Sequence, residues 1–181
     1  MNNIKRVSVF GGAAPHPGEI AYIEAERLGY LLGKAGCTVL NGGYVGTMEA
    51  VSKGAFRAGG HVIGVTCAEI EKWRKVGANP YIHQERRCET LGERLDVLIK
   101  ECDAAIALMG GIGTLAEVLY LWNHMVIQVV PSKPLILVGE RWKAIFDVIN
   151  EKFVGYSSPS QLALLRMVPD VDAAAKLVID S

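Results

Sequence analysis

The chain has 181 residues, half of them hydrophobic, with 19 basic residues against 19 acidic ones and a formal net charge of zero. That length and apolar content suit one domain with a sizeable core and exclude intrinsic disorder. Neutrality argues against a dedicated binder of nucleic acid or of an anionic membrane, which needs a basic face.

Residues 7–10 read as a first strand, ended by Gly11-Gly12 too early for a signal segment. Residues 17–35 read as a helix, with Ile20, Ile23, Leu28, Leu31 and Leu32 at helical spacing and Gly36 as its stop. A strand at 37–40, a helix at 47–58 and a strand at 61–65 follow. Residues 68–81 have no period and hold Gly77 and the Asn79-Pro80 turn signal, so they read as a long functional loop. Residues 82–87 read as a strand, and 90–100 as a helix with Leu91, Leu95, Leu98 and Ile99 on one face. A strand at 103–109 leads into a helix from 114 to about 128 that is apolar almost all round. Such a helix predicts that a second copy of the chain covers part of it, hence a homodimer. A strand at 134–138 and a helix at 141–153 follow, then a Ser/Pro loop and short helical pieces that end at 171–179.

Strands alternating with helices, and continuously apolar, predict an α/β fold: a single doubly wound parallel sheet, Rossmann-like, with helices on both faces. It would span residues 1–181 as one nucleotide-binding domain. Between Ala104 and Ser132 the only formal charge is Glu117, but Gly110, Gly111 and Gly113 interrupt the stretch, which rules against a membrane span. Cys37, Cys67, Cys88 and Cys102 show no CxxC spacing and the four histidines are scattered. The expectation is buried, reduced thiols in the cytoplasm, with no metal site and no cofactor.

Glycine supplies the functional signal. Gly11 and Gly12 follow the first strand, Gly42 and Gly43 with Gly46 the second, and Gly110, Gly111 and Gly113 the strand at 103–109. All three clusters fall at carboxyl ends of strands, where such folds bind ligands. A glycine turn that opens a helix offers free N–H groups and the positive end of a dipole, which suits phosphate. Tight turns need glycine anyway, but three at one edge favour a phosphate ligand. Thr114 belongs to the same cradle. Gly111, Gly113 and Ala116 also fit the dinucleotide fingerprint of an NAD enzyme, though late in the chain and with Asn41 where an acid would hold the ribose. Glu117 has two readings: the partner of Thr114 in a capping box, as Glu93 is of Thr90, or a desolvated carboxylate one turn from phosphate. Arg94 flanks the apolar face of its helix, where it would snorkel to solvent or reach a ligand. Arg86-Arg87 read as a solvated pair.

The segment Gly42-Gly43-Tyr44-Val45-Gly46-Thr47-Met48, continuing to the Gly59-Gly60-His61-Val62-Ile63-Gly64-Val65 run, resembles the LOG family. These are cytokinin riboside 5′-monophosphate phosphoribohydrolases, often mislabelled lysine decarboxylases. The hallmark PGGxGTxxE resembles Met109 to Glu117, and the hallmark arginine–lysine pair falls at Arg94-Leu95. The resemblance covers roughly residues 5–150. It implies a Rossmann-like homodimer that cleaves the N-glycosidic bond of a nucleoside 5′-monophosphate such as AMP. Products would be the free base and ribose 5-phosphate. By the same resemblance Gly110, Gly111, Gly113 and Thr114 hold the phosphate, and Arg94 and Glu117 are the catalytic pair. Met109 stands for the family's proline, Leu95 for its lysine, Leu91 for a methionine and Ala116 for a common glutamate. These departures keep a second reading open, a non-catalytic nucleotide or molybdenum-cofactor carrier on the same fold.

Overall fold

The computed structural model of the protein describes residues 5–180; residues 1–4 and 181 of the expected domain lie outside them. In chain order the elements are β1 (Arg6–Phe10), α1 (Ile20–Lys34), β2 (Thr38–Asn41), α2 (Thr47–Arg57), β3 (Val62–Cys67), α3 (Ala68–Trp73), β4 (Gln84–Cys88) and α4 (Leu91–Lys100). Then come β5 (Ala104–Ala107), α5 (Ile112–Val126), β6 (Leu135–Val138), α6 (Glu140–Lys152), α7 (Pro159–Leu162), β7 (Leu165–Val168) and α8 (Val171–Ile179). The strands form one seven-stranded sheet in the order β4-β3-β2-β1-β5-β6-β7. Every pairing is parallel, so the fold is the expected Rossmann-like α/β sheet.

Alternation along the strands builds two cores. Val7, Val9, Val39, Ala104 and Ile106 face a layer made by Leu28 and Leu32 of α1, Val51 and Ala55 of α2, and Ala174 and Val178 of α8. Phe10, Leu40, Val65, Ala105 and Ala107 face Leu98 and Ile99 of α4, Val118 and Leu121 of α5, and Trp142 and Phe146 of α6. The chain leaves β1 towards β2 on one side, and β5 pairs with β1 on the other. The strand order therefore reverses between β1 and β5, and a crevice opens above their carboxyl ends.

Several expectations need correction. The first helix starts at Ile20 and not at residue 17, because Gly18 takes φ +95°. Its buried face is Tyr22, Ala25, Leu28, Gly29, Leu32 and Gly33, whereas Ile20 and Ile23 are exposed. The 68–81 segment is not wholly a loop: it opens with α3. The tail is not only helical: β7 joins the sheet as an edge strand beside β6. On α4 the inward residue of the first turns is Arg94, and Leu91 is exposed. Helix α5 starts at Ile112, two residues before the expected Thr114; it buries Val118, Leu121 and Met125 and leaves Ile112 and Leu119 exposed. All four cysteines are buried, and none of the four is in a disulfide. No helix among the described residues is long and apolar enough to cross a membrane.

Candidate active site

Three glycine turns meet at the switch point and are tied by their backbones. The Gly12 N–H donates to the Met109 carbonyl at 3.4 Å, and the Thr47 N–H donates to the Gly12 carbonyl at 2.9 Å. The turn before α2 can close only with glycine: Gly46 has φ +72°, and a Cβ there would lie 2.6 Å from the Ala13 backbone. The turns from β1 and β5 form the rim of a cavity of about 350 Å³, lined among others by Gly11, Gly12, Gly111, Gly113, Thr114, Arg94 and Glu117.

The N-terminus of α5 opens into this cavity. Gly111 is its N-cap, no side chain caps it, and no acidic residue lies in its first turn. The first helical N–H to find an intrahelical carbonyl is that of Leu115, which donates to Gly111. The N–H groups of Ile112, Gly113 and Thr114 precede it and point along the positive end of the helix dipole. Gly111 and Gly113 have nothing packed where a side chain would stand, so the backbone is accessible to a ligand. The capping box expected at Thr114 and Glu117 does not form here. With Gly111 as N-cap, Glu117 falls at the sixth helical position, a turn too far in to reach back. The comparison is internal: at α4, Thr90 and Glu93 do form the reciprocal box.

Glu117 instead turns inward and meets Arg94. Their side chains are only 10% and 6% exposed, with Arg94 Nη1 3.3 Å from Glu117 Oε1. Arg94 does not snorkel: its Nε–H donates to the Val65 carbonyl within β3, at 2.8 Å. Burial raises the Glu117 carboxyl above its ordinary range, and the Arg94 guanidinium pulls it part of the way back. The pair is a desolvated acid and a fixed cation beside an anion-ready helix end.

The remaining glycines shape the walls. Gly42 and Gly43 are buried and are not in the cavity lining. A Cβ on Gly42 would strike the Arg94 guanidinium and lie 2.5 Å from Met48 Sδ, so this glycine makes room for the arginine. Gly110 stands behind the lining, where a Cβ would lie 2.7 Å from both the Gly12 nitrogen and Thr114 Cβ. Asn41, at the ribose-acid position of the dinucleotide fingerprint, is buried and spent on its own turn: Nδ2 donates to Ser52 Oγ and Oδ1 accepts from the Gly43 N–H, each at 2.8 Å. Arg86 and Arg87 are exposed and pair with Glu101 and Glu71. Leu95, beside Arg94, is half-buried and outside the lining. No cluster of metal-ligating side chains occurs among the described residues. Tyr44, Ile70, Trp73 and Arg74, to which the sequence assigns no role, also line the cavity. Three of these lie in the segment without periodicity, where no pattern marks them.

Comparison with known proteins places this geometry in context. Residues 48–178 match the protein family described as "Possible lysine decarboxylase". A protein of Oryza sativa subsp. japonica, named probable cytokinin riboside 5′-monophosphate phosphoribohydrolase, is 34% identical over 93% of this chain and 69% of its own length. The cytokinin riboside 5′-monophosphate phosphoribohydrolase of Mycobacterium tuberculosis is 29% identical over 94% of this chain and 91% of its own. Among solved structures, the molybdenum cofactor binding protein from Rippkaea orientalis superposes with TM-score 0.74 at 21% identity, covering 99% of this chain and 98% of that one. The last likeness concerns the fold.

Proposed function

The chain belongs to the LOG family, and from that premise we propose that it is a phosphoribohydrolase. Its substrate would be a nucleoside 5′-monophosphate of the AMP class, and its products the free base and ribose 5-phosphate. The observation that carries this reading is the buried Arg94–Glu117 pair beside the uncapped N-terminus of α5, in one cavity. The phosphate binds the N–H groups of Ile112, Gly113 and Thr114, and Glu117, one turn further along α5, faces the ribose.

As the bond from C1′ to the base lengthens, C1′ becomes oxocarbenium-like. The ionised Glu117 carboxylate stabilises that positive charge and takes a proton from the attacking water. The water oxygen joins C1′, and the bonding pair leaves with the base, which gains a proton from solvent. Arg94, anchored on the Val65 carbonyl, keeps the carboxylate aimed. The chemistry is hydrolytic and calls for no cofactor. The lysine that the family carries beside its arginine is Leu95 here, outside the cavity lining, so the exchange takes no charge from the wall.

Incubation with AMP followed by chromatography is expected to release adenine and ribose 5-phosphate in equal amounts. Tight AMP binding with no base released would favour the carrier reading instead. The pH profile carries a sign. The reaction needs ionised Glu117, whose carboxyl is raised by burial, so kcat/KM should climb with pH through a value above that of an ordinary carboxylate. An acid limb at the ordinary value would remove Glu117 from that role.

Gly42→Ala tests the seat of Arg94 from a position that is itself outside the cavity lining. The new methyl meets the far end of a flexible side chain, so the fold should survive, but the guanidinium must move. A displacement of that order is expected to lower kcat by about 10²-fold. Full activity in a folded Gly42→Ala protein would show that the position of Arg94 is immaterial.

A further inference from the structure

The cavity has a second wall, contributed by the connection from β3 to β4. Ile70, Trp73, Arg74 and Val76 line it there. Trp73 is 76% exposed, a large apolar area to leave in water. The Arg74 guanidinium carbon lies 4.7 Å from its ring centroid, a cation–π contact that holds both planes at the cavity mouth.

This wall is braced at both ends. The Tyr44 hydroxyl accepts from the Cys67 N–H at 2.7 Å and lies 3.3 Å from the Glu71 carboxylate on α3. Glu71 also pairs with Arg87 at 2.6 Å, and Glu69 accepts from the Leu91 N–H at 2.8 Å. Beyond α3, the buried Asn79 donates its N–H to the Gly43 carbonyl at 2.8 Å and its amide to the Tyr44 carbonyl at 3.1 Å. The segment that carries Trp73 is thus tied twice to the β2–α2 turn. An exposed indole on a braced wall is a preorganised surface for a flat ligand.

We infer that Trp73, flanked by Arg74, is the platform on which the heteroaromatic base of the substrate stacks. The inference rests on the proposed function: phosphate at α5 and C1′ at Glu117 leave the Trp73 wall for the base. Stacking suits any base with a π-face; the Arg74 guanidinium lies over one face of the indole, so the base takes the other. A cavity of about 350 Å³ is of the size that holds a small-molecule ligand.

The test compares two ligands that differ only beyond C1′. Titration calorimetry with AMP and with ribose 5-phosphate is run on wild type, Trp73→Ala and Trp73→Phe. Trp73→Ala should weaken AMP about 5- to 100-fold and leave ribose 5-phosphate unchanged, and Trp73→Phe should recover most of the loss. AMP should also quench tryptophan emission in wild type and not in Trp73→Phe, because Trp142 is buried in the core and Trp122 lies outside the cavity lining, its indole N–H donating to the Gln161 carbonyl. Equal losses for both ligands, or none for AMP, would overturn the platform and leave the nucleotide reading standing. A wild-type protein that binds neither ligand would overturn both.

Discussion

Glu117→Gln should lower the rate of base release by about 10²- to 10⁴-fold while the protein stays folded and still binds AMP. Glutamine matches glutamate in volume and still presents an oxygen to Arg94 Nη1, so the 3.3 Å contact survives in kind. What goes is the negative charge that would face C1′ and the capacity to take a proton from water. The loss should therefore appear in kcat, with little change in AMP affinity, because the phosphate groups lie on a different part of α5. A second readout follows from linkage. The folded protein holds the Glu117 proton more tightly than the unfolded chain does, since burial raises its carboxyl. Wild type then loses stability as pH rises from the ordinary carboxylate value through the raised one, and the glutamine variant does not. The difference in Tm between variant and wild type should move in favour of the variant on going from acid to neutral pH. Undiminished base release would sink the assignment of Glu117, and a pH-independent difference in Tm would sink its raised carboxyl.

Much of the scaffold was legible in the sequence because strand and helix periods differ and glycine punctuates both. The three glycine turns could be placed at one sheet edge from the strand assignments alone. The pairing of Arg94 with Glu117 was implied by the family resemblance alone and not by spacing or periodicity. The two charges lie 23 residues apart on different helices, and each had a commonplace surface or capping role. The capping reading failed for a local reason: Gly111 ends its turn in extended geometry and starts α5 early, which moves Glu117 out of the first turn and into the interior. Arg94 lay beside apolar neighbours, and hydrophobic periodicity cannot say that an arginine replaces Leu91 on the inward face. The six-residue α3 is under two turns long, too short for a period, so Trp73 went unmarked. Strand β7 is a half-exposed edge that contains Arg166 and Met167, and its apolar signal is correspondingly thin.

The α1–α2 contact was also hidden from hydrophobicity, and it carries the largest expected effect on stability. Counting apolar side chains puts Ile20 and Ile23 inside, yet α1 turns Gly29 and Gly33 towards α2. A Cβ on Gly29 would lie 2.8 Å from the Val51 carbonyl carbon and closer still to its oxygen. A Cβ on Gly54 would press into the Glu26 carbonyl and stand 2.7 Å from the Tyr30 nitrogen. Both obstacles are backbone, so no rotamer can relieve them. By helix propensity alone, Gly54→Ala should stabilise α2 by about 1 kcal/mol. The geometry reverses that sign. Overpacking costs about 1–3 kcal/mol where side chains give way, and here two helices must part, so a net loss near 3 kcal/mol is expected. In a chain of this length that lowers Tm by about 6–12 °C. Gly92→Ala is the control: on α4 its nearest neighbour is Thr90 Oγ1 at 3.9 Å, and the same change should gain about 0.4–1 kcal/mol. Denaturant unfolding of the two variants should thus give midpoints on opposite sides of wild type. The consequence reaches the site, because α2 begins at Thr47, whose N–H holds the Gly12 carbonyl at the cavity rim. Helices that separate would loosen that turn, so Gly54→Ala should weaken AMP binding as well as the fold. A midpoint at or above wild type would show that α1 and α2 part at little cost, and that their close approach is incidental to the cradle.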